Sequence, residues 1–537
     1  MIRKLFLLFI TSCTWLLALN TVSGGRLTPR QEAIDVKHYT IDITVDPFKQ
    51  IISGVVEISF TLFRNIDLIE LDLINNYSVS GTEINGMSLA FTHKKNKLFV
   101  NNPGLEPFIE NKIKIKYAGR PPIAKNPPWD GGLTWATSED GSSWVGVSCQ
   151  SNGAHIWYPC KEHPSDKANG ADIHITAPPG VMVVSNGLMQ SSVVRKDKWN
   201  KWHWKTNYPI STYNINFTIG NFKIIEKQVF INKDIIDLVF YVLPEKENGG
   251  FELLKEAEKH LRFFTQHFGS YPWKNEKFGL VHTPYSGMEH QTINAYGNNY
   301  QKTSLGYDFI LFHEMGHEWW GNLLSVADWS DFWIHEGFDT YAEAMYVEET
   351  YGIESARNFI ERRFKKNIKN ISPLVPPRHG TTEQKSGNDS YYKGAHVLHM
   401  LRYLIGKDVL WDSLKEFLYM PKELPNNQTS SDEFISLIEE NSNEDLNWFF
   451  SQYLFKEELP VLNIKEKNID NKRFIDLWWK NDGFKMPIEI EYVAIDGIRK
   501  KKINLNNSPK RIVLQSNSGL LLDPNAWLLF TINNIND

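Results

Sequence analysis

Cysteine is nearly absent from this chain of 537 residues, with only Cys13, Cys149 and Cys160. That excludes a disulfide-built scaffold, so stability must come from packed cores, for which 42% hydrophobic and 13% aromatic residues are ample. An excess of one charge is also lacking: 58 Lys and Arg stand against 63 Asp and Glu, a formal charge of -5. No nucleic-acid-binding stripe follows from this, and the short basic run Arg499 to Lys502 reads as a solvated strand edge or turn. Internal repeats and low-complexity linkers are missing, so the domains should pack against one another.

Long apolar runs are missing too, apart from Leu5 to Leu19 behind Arg3 and Lys4. About fifteen residues is short for a membrane span and suits a secretory signal, here residues 1–24 with cleavage near Ser23 or Gly24. The mature chain is then expected outside the cytoplasm, secreted or periplasmic, with no transmembrane span. A rival reading anchors a lipid on Cys13, but the apolar run continues through Trp15 and Leu16. Cys149 and Cys160 remain, as a bridge or as buried thiols, and neither has zinc-finger spacing.

What is present is first a period of two. Tyr39, Ile41, Ile43 and Val45 alternate with polar residues, as do Val56, Ile58, Phe60 and Leu62, and then Ile69, Leu71 and Leu73 against Glu70 and Asp72. These half-buried strands predict a large antiparallel β domain over 25–224. From about Phe251 the period lengthens, with Leu253, Leu254, Ala257, Leu261 and Phe264 at helical spacing, and a mainly helical domain is expected over 225–457. Within it, Glu354 to Lys369 reads as a solvated amphipathic helix. Alternation returns at Ile488, Ile490 and Tyr492, predicting a β-sandwich over 458–537. The fold class is therefore multidomain α+β.

The richest stretch is His313-Glu314-Met315-Gly316-His317, followed by Glu336. On a helix, residues four apart share a face, so both imidazoles can reach one ion. Phe309, Ile310 and Phe312 before the motif and Trp319 and Trp320 after it argue for burial, where His, Glu and His are costly unless something binds them. Two His and one Glu leave one position open, the arrangement of a catalytic rather than a structural zinc. Glu314 is placed to act as general base toward zinc-activated water. Glu343, seven residues after Glu336, is either a partner for a ligand's second nitrogen or a solvated carboxylate.

Together with Trp320-Gly321-Asn322 and His335-Glu336-Gly337-Phe338, the motif resembles the gluzincin zinc aminopeptidases of the aminopeptidase N and leukotriene hydrolase family. Pro284 to Glu289 resembles that family's exopeptidase motif, Tyr391-Tyr392-Lys393-Gly394-Ala395 its Tyr-x-Lys-Gly motif, and Pro159 to Pro164 the signature of its amino-terminal domain. The motifs fall in matching order over nearly the whole mature chain. The resemblance implies a β saddle domain, a thermolysin-like catalytic domain and a β-sandwich, with one zinc ion on His313, His317 and Glu336. It implies Tyr391 as oxyanion stabiliser beside Glu314, and Gln150, Tyr285, Gly287, Met288 and Glu289 as substrate-binding residues, Glu289 holding the α-ammonium of a peptide with a free amino terminus.

Departures from the pattern are Ser286 where a first Gly is frequent, His290 for Asn, and Ser148 at a position that is often Gln. They leave the first-residue pocket open. The sequence ends after the β-sandwich, without the helical domain many relatives carry, and a more open cleft that accepts longer peptides is the expectation. Two further readings stand beside an aminopeptidase: epoxide hydrolysis as in the leukotriene hydrolase branch, and a non-catalytic peptide-binding protein on the same fold. The oligomeric state is not legible.

Overall fold

The computed structural model describes residues 22–149, 153–494 and 497–535. The amino-terminal β domain is built on an eight-stranded sheet in which Ile34–Asp46 is flanked by Ile51–Leu62, antiparallel, and by Ala171–Ala177, parallel. The alternating apolar residues Tyr39, Ile41, Ile43 and Val45 are all buried on its inner face. A four-stranded sheet, Met182–Ser185, Phe217–Gly220, Ser143–Ser148 and Gly132–Thr137, belongs to the same domain.

One strand departs from expectation. In Leu68–Asp72 the alternate residues Glu70 and Asp72 are also buried, at 3% and 6% exposure. Both carboxylates are matched: Glu70 accepts the Thr28 hydroxyl at 2.9 Å, and Asp72 accepts Gln31 Nε2 at 2.8 Å and Glu162 N at 2.9 Å. Alternation registered the apolar face correctly but could not see that a second layer covers the polar one. Cys149 and Cys160 are buried free thiols in this domain, each with its pKa pushed up by burial.

The central domain opens with a five-stranded sheet in the order Lys223–Ile231, Asp234–Val242, Phe278–His282, Asn294–Tyr296 and Gly287–Met288. Behind it stand helices Glu247–Phe268, Phe309–Gly316, Trp333–Tyr351 and Asp389–Ile405. Every residue from Trp333 to Val347 is buried, so that helix runs through the core rather than over it. It packs closely on Asp389–Ile405 because two glycines face each other: a Cβ on Gly337 would stand 2.9 Å from Gly394 Cα. That contact brings Glu336 and Tyr391, three residues before Gly394, to one place.

The segment Glu354 to Lys369 is not the uniform solvated helix its charges suggest. An α-helix, Ile353–Phe359, passes into a π-helical turn, Ile360–Phe364, and a 3-10 turn, Lys365–Asn367. Ala356, Ile360 and Phe364 are buried at four-residue spacing. A straight α-helix would carry such a row about 40° around its axis at each step, and the wider π turn brings it back. The carboxy-terminal domain pairs a four-stranded sheet, including Val461–Ile469 and Lys472–Trp479, with a three-stranded sheet centred on Pro487–Ala494.

Candidate metal centre and cleft

Helix Phe309–Gly316 carries His313 and Glu314, and His317 follows as its C-cap residue, still in right-handed helical conformation. The helix start is fixed by Asp308, whose carboxylate accepts Leu311 N at 3.1 Å and the Tyr296 hydroxyl at 2.6 Å. Glu336 comes across from the buried helix. Nε2 of His313 and Nε2 of His317 lie 3.2 Å apart, and Glu336 Oε2 lies 3.6 Å and 3.3 Å from them. Two nitrogens that close cannot both keep a proton, and two imidazoles converging with a carboxylate fit one zinc ion. Burial alone would raise the Glu336 carboxyl, but His317 and then His313 outweigh it and hold it at about 2.

The second nitrogens of the ligands are held as well. His317 Nδ1 lies 2.8 Å from Trp320 O, and His313 Nδ1 lies 2.5 Å from Asp339 Oδ2. Asp339, not Glu343, is therefore the carboxylate behind a metal ligand. Glu343 is buried one turn further along, where it accepts the Tyr307 hydroxyl at 2.6 Å, and burial raises its pKa to about 7. Asp339 reaches the ligand helix because Gly316 has no side chain: a Cβ there would meet Asp339 Oδ1 at 1.6 Å.

Glu314 faces a cleft of about 270 Å³ whose walls include Gly287, Met288, Glu289, His313 and Tyr391. Burial pushes its pKa up to about 8, with His313 and His317 pulling it down and Glu289 and Glu336 adding to the rise. Gly287 leaves space for this carboxylate, since a Cβ there would meet Glu314 Oε1 at 2.2 Å. Tyr391 stands with its ring centroid 5.9 Å from that of His313. Glu289 is 3% exposed, and its Oε1 has no hydrogen-bond partner.

Glu289 is locked in place by Asn322, from the Trp320-Gly321-Asn322 motif, and through it by Glu318, which sequence reasoning passed over. Its carbonyl accepts Asn322 Nδ2 at 3.1 Å, and Asn322 also donates to Glu318 Oε2 at 3.1 Å. Glu318 accepts in addition from Trp273 Nε1 at 2.7 Å, Asn294 Nδ2 at 2.8 Å and Thr292 N at 3.0 Å. One carboxylate thus ties the end of the ligand helix to the strand region that presents Glu289. The only signal in the sequence was its place next to His317.

Tyr285 does not line the cleft. It is buried, with its hydroxyl donating to Val147 O at 3.1 Å and its ring edge-on to Trp144. Gln150 lies outside the described residues, as does nearly all of the expected signal, Cys13 included.

A model described as the Peptidase M1 N-terminal domain matches residues 35–214, and one described as the Peptidase family M1 domain matches residues 252–453. Endoplasmic reticulum aminopeptidase 1 of Rattus norvegicus is 25% identical over 352 residues, covering 62% of this chain and 37% of that protein. Aminopeptidase N of Homo sapiens is 28% identical over 291 residues, covering 49% of this chain and 30% of that protein. The chain spans less than two fifths of the length of these curated relatives. The M1 zinc metallopeptidase from Deinococcus radiodurans superposes with a TM-score of 0.67 at 22% identity, covering 80% of this chain and 95% of that one, a likeness of fold. With both family models matched in order along more than half its length, the chain belongs to peptidase family M1.

Proposed function

We propose that this protein is a zinc-dependent aminopeptidase that removes the first residue of peptides with a free amino terminus. One observation carries the reading: the buried Glu289 carboxylate opens on the same cleft as Glu314 and Tyr391 and keeps one oxygen unpartnered. A carboxylate in that state is costly unless a cation meets it, and a peptide α-ammonium supplies one. Held at a fixed distance from the metal ligands, it admits a single residue before the scissile bond. An acetylated terminus would leave Glu289 buried and unpaired.

His313, His317 and Glu336 would hold the zinc ion, which when bound would supply Lewis-acid polarisation of the scissile carbonyl and lower the pKa of the attacking water. Glu314 takes the proton of the attacking water and returns it to the leaving nitrogen. Tyr391 donates its phenol to the developing oxyanion, a contribution of about 3 kcal/mol in such sites. Gly287 and Met288, a short edge strand on the cleft wall, present backbone to the peptide, and Gln150 assists Glu289 at the amino terminus. Support comes from the relatives, which are named aminopeptidases, and from a mutant of the Deinococcus radiodurans enzyme described as bound to a Tyr-Ser-Ala substrate. The run Leu5 to Leu19, read as a secretory signal, supports a location outside the cytoplasm, and no helix among the described residues is long and apolar enough to cross a membrane.

The test is mass spectrometry on a peptide pair, one free and one acetylated at the amino terminus, with and without a chelator. Loss of one residue from the free peptide alone, abolished by chelation, is the expected result. Internal cleavage of both peptides would overturn the role of Glu289.

A further inference from the structure

The cleft has a neighbour. Beside the 270 Å³ space over Glu314 lies a cavity of about 600 Å³ walled by Thr303, Ser304, Tyr307, Glu343, Asn358 and Asn367, among others. Phe309 and Arg363 line both spaces. The Arg363 guanidinium lies 4.4 Å from the Phe309 ring centroid and 5.5 Å from that of Tyr392. Both contacts are aromatic faces. Among the described residues its guanidinium makes no hydrogen bond and no ion pair, which leaves its planar fork of N–H donors unspent.

Arg363 sits inside the π-helical turn Ile360–Phe364, between the buried anchors Ile360 and Phe364. The turn holds the arginine stem against the cleft while those two side chains enter the core. Such turns recur at functional sites. Across the cavity, Glu343 Oε2 is buried without a partner, beside the oxygen that accepts from Tyr307. Where it meets the cleft the cavity therefore offers a cation without a hydrogen-bonded partner, within electrostatic reach of the Glu343 carboxylate, which keeps one oxygen without a hydrogen bond, and amide side chains line the wall as well. This is the complement of a short stretch of peptide ending in a carboxylate.

We infer that this cavity receives the residues beyond the scissile bond and that Arg363 binds the free terminal carboxylate of a short peptide. The inference rests on the aminopeptidase reading of the metal centre and deepens it by naming short free-acid peptides as the substrate class. Arg363 is a specificity-determining residue here, remote from bond breaking. Its effect therefore falls on KM more than on kcat.

The experiment compares kcat/KM for Leu-Gly-Gly, its carboxy-terminal amide and the amide of Leu-Gly-Glu, with di- and tetrapeptide versions to find the register. The wild type should favour free acid over amide by about tenfold to a hundredfold, the range of a charge-assisted hydrogen bond. Arg363→Gln should bring that ratio close to one. Arg363→Lys, which keeps the charge and loses the fork, should leave an intermediate ratio, and it serves if Arg363→Gln fails to fold. A wild-type ratio near one, or a ratio that Arg363→Gln leaves unchanged, overturns the inference. Rescue of the amide by the glutamate side chain would overturn the terminal carboxylate as the ligand. Cleavage of the first residue from these peptides, with and without a chelator, separates the two levels: if neither the acids nor the amides lose a first residue, the aminopeptidase reading falls and this inference with it, whereas chelator-sensitive cleavage with a ratio near one removes this inference alone.

Discussion

Two groupings of histidine and carboxylate among the described residues bring three potential metal donors within 4.8 Å of one another: His313, His317 and Glu336 in the cleft, and Asp172, His174 and His203 on the β domain. Composition hardly separates them, but their surroundings do. On the sheet, Asp172 is consumed by its neighbours, accepting His38 Nε2 at 2.9 Å and His203 Nε2 at 2.6 Å. His174 and His203 are cross-strand partners with rings stacked 3.9 Å apart and 18° from parallel. Imidazole lone pairs lie in the ring plane, so two nearly parallel rings do not aim at one ion. In the cleft, the rings are edge-to-face at 75°, and each ligand's other nitrogen is held from behind. A metal centre is thus told apart by donors that are oriented yet unspent.

The sharpest way to break this comparison is to remove chemistry while leaving the ligands in place. Glu314→Gln should keep full zinc stoichiometry while kcat falls by about 10²- to 10⁴-fold, and activity near wild type would discard Glu314 as the base. A smaller effect is expected one layer out. Asp339→Asn should weaken zinc about tenfold to a hundredfold in a chelator competition, whereas Asp172→Asn should leave that affinity untouched. Equal effects of the two substitutions would dissolve the distinction between the groupings.

A third setting for histidine sharpens the contrast. His260 is fully buried among the rings of Tyr307, Phe312 and Tyr346, neither ring nitrogen has a hydrogen-bond partner, with Glu256 Oε1 standing off at 3.7 Å from Nε2, and burial lowers its pKa from 6.5 to about 3. The unfolded chain takes up this proton near pH 6.5, and the folded one only near pH 3. The neutral ring's contribution is therefore complete above pH 6.5 and is lost as pH falls through that window. His260→Phe should flatten the acid limb of a urea-unfolding series by about one proton, or roughly 1.4 kcal/mol per pH unit. An unchanged slope would mean that the ring is already charged in the fold. The smallest effect belongs to the half-buried grouping on the sheet, where Asp172→Asn should cost no more than about 1 kcal/mol of stability. A larger loss in the same unfolding assay would mark that network as structural.

The sequence made the metal ligands legible because they are local: the spacing of His313 and His317 is a helix turn, and Glu336 sits in a motif of its own. The three-domain plan was legible through the change of period from two to helical and back. Other features depend on contacts that no spacing encodes. Asp339 and Glu343 share a helix face with Glu336, and only the missing side chain at Gly316 decides which of them reaches His313. Tyr285 belongs to a recognisable motif, yet its hydroxyl is taken by Val147, far off in sequence. Arg363 was submerged in a run of charges because a period of 3.6 cannot register a π turn. The Asp172 grouping needs strands brought together from distant parts of the chain.

The close crossing at Gly337 and Gly394 also limits how such a site can diversify. Glu336 and Tyr391 ride on opposite sides of one backbone contact, so a side chain added at either glycine displaces a metal ligand and the phenol together. Inheritance can tinker little with that seam. Variation in substrate preference is thereby steered to the periphery of the cleft, to the edge strand at Gly287 and Met288 and to the turn that carries Arg363, where one side chain can change without the helices moving.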